Sequence, residues 1–192
     1  MLKQSEPPSY TLIIGDSNIV RMQGDFNEKQ PGYNNGLAKY KIDVEARPGF
    51  RALFLGWEQA KVALSYTHVI VFCGNNDISK HPKDKFQIRS PEATAEDLII
   101  FHDFLWKAGT KCFIVGMMKR KDLRDENGIE RIRATNKILK ARLKSQKTYV
   151  GPRTIQSKHF KDWDEAHLTE EGKFLVRALV LRIIEKRYTE VN

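Results

Sequence analysis

Apolar residues along the 192-residue chain fall into two alternating kinds of stretch. Short, continuous apolar runs of strand length recur at Thr11 to Gly15 (TLIIG), Lys41 to Ala46 (KIDVEA), His68 to Gly74 (HVIVFCG), Cys112 to Gly116 (CFIVG) and Lys147 to Gly151 (KTYVG). Between and after them lie Phe50 to Ser65, Pro91 to Gly109, Ile129 to Ser145 and Thr169 to Tyr188, where the apolar positions repeat at helical spacing. A strand apolar at every position is buried on both faces, and such strands alternating with amphipathic helices build a parallel sheet covered on two sides. The pattern predicts a doubly wound α/β fold in three layers, α/β/α, with a central parallel sheet of about five strands. Residues 10–188 are expected to form a single domain and 1–9 an N-terminal tail.

Start and stop signals agree with the helices. Pro91 opens a first turn with Glu92 behind it, Gly109 follows Lys107, and Thr169 precedes Glu170 and Glu171 as an N-cap. Two segments rich in turn formers, Gln23 to Tyr40 and Ile78 to Ser90, follow predicted strands without a clear helix. Ligands bind at that edge of an open α/β sheet, so both are candidate rims of a site.

Composition changes this picture little. A hydrophobic fraction of 41% and a charged fraction of 30% are ordinary for a globular chain and exclude disordered and fibrous classes. No apolar run approaches the ~20 residues of a membrane span, and the start, MLKQSEPPSY, lacks the apolar core of a secretory signal, so a cytoplasmic location is expected. Cys73 and Cys112 each sit inside a predicted strand and read as buried free thiols. Charge does more. The net charge of +9 is concentrated between Lys119 and Lys147, where eleven lysines and arginines face four acidic residues. Lys119, Arg120, Lys121, Arg131, Arg133 and Lys137 are candidate contacts for RNA, DNA or an anionic membrane surface, the alternative being a solvated helix face.

Four blocks carry candidate chemistry. In YTLIIGDSNIVRM, Ser17 follows a strand and opens a helix, as either a nucleophile or a cap; a Gly-Asp-Ser tripeptide arises by chance in about one chain in twenty. Gly49 in ARPGFRA is either a plain βα turn glycine or a backbone N–H turned into the site. In VIVFCGNND, an Asn amide at a strand's end either closes a turn or donates to a developing oxyanion. In WDEAHLTEEG, Asp164 and His167 are three residues apart, the spacing of a carboxylate that orients an imidazole. The letters Asp-Glu-Ala-His do not make a helicase box, because no G-x-x-x-x-G-K-[ST] phosphate loop exists in the chain. His68, His81, His102 and His159 have no zinc spacing, and neither metal nor cofactor is expected.

With these blocks in the order Ser, Gly, Asn, Asp-x-x-His, the sequence resembles the SGNH, or GDSL-type, hydrolases. The resemblance runs from residue 10 to about 185. It implies the flavodoxin-like α/β/α sandwich, with Ser17 as nucleophile, His167 as base and Asp164 as its acid. The backbone N–H groups of Ser17 and Gly49 and the side chain of Asn76 are the implied oxyanion donors. It further implies hydrolysis of a carboxylic ester, small or lipid-like, with small acyl groups such as acetyl favoured. The basic stretch and compact size resemble the esterase domain of the first open-reading-frame protein of certain LINE-type retrotransposons. The alternative function is an RNA-binding module on the same fold with little or no hydrolase activity.

Overall fold

The computed structural model describes residues 10–27, 37, 40–79, 87–123, 126–152, 154–164 and 166–188. In chain order the elements are β1 (Tyr10–Gly15), α1 (Ser17–Val20), α2 (Gln23–Asn27), β2 (Lys41–Ala46), α3 (Trp57–Ala63), β3 (His68–Phe72), α4 (Asn75–Ile78), α5 (Pro91–Lys107), β4 (Lys111–Val115), α6 (Glu126–Arg142), β5 (Tyr149–Val150) and α7 (Glu170–Tyr188). The five strands form one sheet in the order β2-β1-β3-β4-β5, every pair parallel. In the central register Ile13 lies between Val44 and Ile70, and Gly15 between Ala46 and Phe72.

Successive side chains of a strand point to opposite faces, and the continuous apolar runs serve two cores. Leu12, Ile14, Val69, Val71, Cys112 and Ile114 pack with residues of α3, α5 and α6 on one face. Ile13, Ile70, Phe72, Phe113 and Val115 pack with residues of α1, α2 and α7 on the other. This is the three-layer, flavodoxin-like α/β/α sandwich. Both cysteines are buried and free. Burial pushes the Cys73 and Cys112 thiols well up from their ordinary range, so neither supplies a thiolate at neutral pH.

The caps follow the sequence signals. The Ser90 hydroxyl accepts from Ala93 N–H at 3.1 Å, the Thr169 hydroxyl accepts from Gly172 N–H at 3.1 Å, and Gly109 ends α5 at φ +90°. Other expectations are corrected. The single helix over Phe50 to Ser65 is instead a 3-10 turn, Ala52–Phe54, followed by α3, with Arg51 and Gly56 in extended backbone between and before them. The reason lies far away in sequence: Ala52 N–H donates to the Asp77 carboxylate at 2.8 Å, which fixes the turn apart from α3. The strand over His68 to Gly74 stops at Phe72, and Gly74 at φ +111° turns the chain into α4, a one-turn helix that no periodicity announces. The last strand shrinks to two residues, Tyr149 and Val150, just after Lys147 at φ +55°, and α6 begins at Glu126 rather than Ile129. Of the two segments without clear helix, the first contains α2, and residues 28–36, 38–39 and 80–86 lie outside those described. No described helix is long and apolar enough to cross a membrane.

From β1 the chain crosses to β2 on one side and then to β3 on the other, so the strand order reverses between β1 and β3. A crevice opens at such a reversal, outside the C-terminal ends of the strands. Asp16 and Ser17 follow β1 there, and Gly74 to Asp77 follow β3.

Candidate active site

Asp16 takes the cap position that the sequence offered to Ser17. It occupies the N-cap of α1 in extended backbone, and its carboxylate accepts from Asn18 N–H at 2.9 Å. The cap is therefore taken, and Ser17 is the first residue of the helix, with its hydroxyl 2.9 Å from His167 Nε2. Gly15 makes the tight turn into α1 fit. A β-carbon there would lie 2.3 Å from Ile19 Cγ1 and 2.6 Å from Ile19 Cβ, closer than real contacts allow. Burial raises the Asp16 carboxyl above the ordinary carboxylate range, opposed by the Arg120 charge, by its bonds to Asn18 and by His167.

His167 is held from behind. Its Nδ1 lies 2.7 and 2.6 Å from the two oxygens of Asp164, and its backbone N–H closes the turn on Asp164 O at 2.9 Å. An ionised carboxylate only accepts, which puts the ring proton on Nδ1 and leaves Nε2 as acceptor for the Ser17 hydroxyl. Arg21 Nη2 stands 3.8 Å from Asp164 Oδ2. An antiparallel bridge between Phe160 and Leu168 fixes the ends of this loop, and Lys161 N–H donates to His167 O at 2.9 Å.

Asn18 joins the two halves, and the sequence reading passed over it. The side chain, 2% exposed, donates to Ala166 O at 3.1 Å and accepts from Leu168 N–H at 3.0 Å. It thereby grips the backbone on both sides of His167 from the residue next to Ser17. The one available signal was a strongly polar residue in the otherwise apolar run after the Gly-Asp-Ser turn.

The Gly74-Asn75-Asn76-Asp77 turn fastens two loops, those after β2 and β4, with three consecutive side chains. Asn75 pairs in both directions with the Met118 backbone, donating at 2.8 Å and accepting at 3.1 Å. Asn76 donates to Phe50 O at 3.1 Å. Asp77 takes Ala52 N–H, as above; burial raises its carboxyl, opposed by its backbone bonds to Ala52 and Leu53 and by the charges of Arg51 and Arg89. Asn76 thus ties the loop that carries Gly49, which is exposed at φ +71° one residue before Phe50.

Arg120 is not a surface contact. It is 7% exposed, and its guanidinium donates to both Asp122 oxygens, to Asn76 Oδ1 at 3.1 Å and to Ser79 Oγ at 3.2 Å. The other basic candidates divide. Lys121 pairs with Asp162, Arg131 donates to Ile78 O at 2.9 Å, and Arg133 pairs with Glu130, whereas Lys119, Arg133 and Lys137 all line a groove on the β5 side of the same sheet. Among the described residues no cluster of His, Cys, Asp or Glu is arranged to hold a metal ion. Two of the other described histidines carry bonds elsewhere: His102 is buried between Asp103 and Thr148, and His159 accepts from Gln156 N–H.

No protein-family profile and no curated protein sequence matches the chain. Solved structures do. A GDSL-like lipase from Bacteroides thetaiotaomicron superposes with a TM-score of 0.70 at 16% identity, over 96% of this chain and 93% of that one. A putative acylhydrolase from Bacteroides fragilis gives 0.71 at 15% identity, over 96% and 90%. A catalytic mutant of an acetylxylan esterase from Geobacillus stearothermophilus gives 0.62 at 16% identity, over 93% and 95%. The chain has the SGNH, or GDSL-type, hydrolase fold.

Proposed function

We propose that the protein is a serine hydrolase of carboxylic esters, with Ser17, His167 and Asp164 as its catalytic triad. The observation that carries this reading is the unbroken chain from the Ser17 hydroxyl through both ring nitrogens of His167 to Asp164, at 2.9 Å and then 2.6 to 2.7 Å. The three residues come from opposite ends of the sequence and meet at the reversal of strand order, the place where this class of sheet binds ligands.

In the first step Ser17 Oγ attacks the acyl carbon while His167 Nε2 takes the hydroxyl proton, and Asp164 steadies the resulting imidazolium. The tetrahedral oxyanion is received by the backbone N–H groups of Ser17 and Gly49 and by the Asn76 amide, each such donor being worth ~10²- to 10³-fold in rate. The first N–H groups of a helix have no intrahelical acceptor, which suits Ser17 to that duty. For Asn76, Phe50 O takes one amide N–H and Arg120 holds the carbonyl oxygen, an orientation that presents the second N–H. His167 then returns its proton to the leaving alcohol as the C–O bond breaks, and water, activated by the same imidazole, releases the carboxylic acid from Ser17.

A small acyl group is the favoured substrate, in keeping with the acetylxylan esterase among the structures that share the fold. The second reading, a nucleic-acid-binding module without hydrolase activity, gives no reason for an assembled triad. Purified protein should hydrolyse p-nitrophenyl acetate, and Ser17→Ala should lower kcat by at least ~10³-fold with the fold intact by circular dichroism. Equal turnover by the two proteins would end the esterase reading.

A further inference from the structure

The groove beside the site has a volume of about 1030 Å³. Its cations are Lys119, Arg133, Lys137, Lys140 and Arg182, and among the described residues no acidic side chain lines it. Arg133, Lys137 and Lys140 stand at i, i+4 and i+7 on α6, so they form one row on a single helix face, spanning roughly 10 Å at 1.5 Å per residue. Arg182 of α7 and Lys119 beyond β4 line the same groove. Arg133 shares its charge with Glu130, which leaves four cations as the main source of positive potential. Between the charges lie the half-buried rings of Tyr149 and Pro152 and the polar side chains of Asn136, Gln156 and Ser157, with Ile132 and Ile155 buried behind them.

We propose that this groove binds a single-stranded polynucleotide through its phosphate backbone. A row of cations along a concave wall tracks a flexible polyanion, and the partly exposed rings of Tyr149 and Pro152 between them offer its bases a surface to stack on. A duplex is read by elements that protrude into its grooves, and a bilayer is flat, so a concavity of this volume fits a single strand better than either. The groove lies outside the residues of the proposed triad, along the β5 side of the sheet between α6 and α7, and reaches the exits of β4 and β5. Binding there does not depend on the esterase reading.

Fluorescence anisotropy with labelled oligouridylate and oligodeoxythymidylate of about 12 nucleotides tests it. Four neutralised phosphates give a slope of log affinity against log salt of about −3 between roughly 50 and 200 mM salt, at −0.7 per phosphate. The triple variant Lys137→Glu/Lys140→Glu/Arg182→Glu should lose at least tenfold in affinity and most of that slope. Lys41→Glu/Lys107→Glu/Lys111→Glu makes the same change of charge at the opposite edge of the sheet and should stay near the wild-type value. If the reversal variant fails to fold by circular dichroism, the glutamine versions of the same three positions should still lose affinity. A flat salt response or equal losses in the two charge variants would overturn the proposal. So would groove-dependent binding to phosphatidylserine vesicles in the absence of oligonucleotide binding, which would make the surface a membrane contact.

Discussion

Asn18 has a structural bond on each side of the base it serves. With one side chain it fixes Ala166 and Leu168, and so the height and rotation of His167 over Ser17. Asn18→Ala leaves the buried Leu168 N–H without its acceptor, a loss of about 1 to 3 kcal/mol. Asn18 does not touch substrate in the proposed reaction, so it acts as a positioning residue. Its alanine variant should lower kcat for p-nitrophenyl acetate ~10- to 100-fold with KM little changed, because a displaced base weakens the transition state more than the encounter. A lower thermal midpoint with unaltered kcat would assign Asn18 to stability alone. The residues proposed as the triad stood out in sequence because their types and order are rare together. Asn18, Asp16 and Arg120 were not, since what each does depends on a partner 2 to 150 positions away that the local pattern does not contain. Arg120 shows the limit plainly. Inside a run of Lys-Arg-Lys it reads as solvated, yet Asp122 and Asn76 draw it inward between two exposed or half-exposed lysines.

At the scale of elements, α5 and α7 and the helix opening at Ser17 were legible, and the one-turn α4 was not. α5 and α7 have periodicity and caps to declare them and α1 has the Asp16 cap, whereas α4 has neither and exists because distant groups hold its ends. The misread helix over Phe50 to Ser65 has the same origin, an Asp77 carboxylate that arrives from the end of β3. The turn from β1 into α1 is the most demanding of these short elements, for the chain must pass within contact of Ile19 and still present Ser17. Gly15→Ala forces a shift of the α1 backbone or of Ile19, and overpacking of this kind costs about 1 to 3 kcal/mol. Urea denaturation should show that loss, and ester hydrolysis measured well below the unfolding transition should fall as well, because the displaced element carries Ser17, the proposed nucleophile. Unchanged activity in a destabilised Gly15→Ala protein would separate the turn's packing from the site.

Across the whole molecule, two properties of the sequence meet on one sheet. The alternation of strands and helices sets the topology, whose reversal between β1 and β3 brings Ser17 to the crevice, and five cations line the β5 side of the same sheet. Sequence could give the fold class because strands buried on both faces leave an unmistakable apolar pattern. It could not give the groove, since a concavity forms between α6, β5 and α7, three elements whose adjacency is a fact of topology rather than of any local stretch. Everything said of the chemistry rests on Ser17 being activated in the folded protein, and covalent capture reads that state without knowledge of the natural ester. The decisive measurement is the intact mass after reaction with a fluorophosphonate, followed by peptide mapping. An activated Ser17 takes up one phosphonyl group on its own peptide, Ser17→Ala takes up none, and His167→Ala reacts far more slowly. A wild-type protein that stays unmodified, or whose adduct lies on another residue and persists in Ser17→Ala, would contradict the triad.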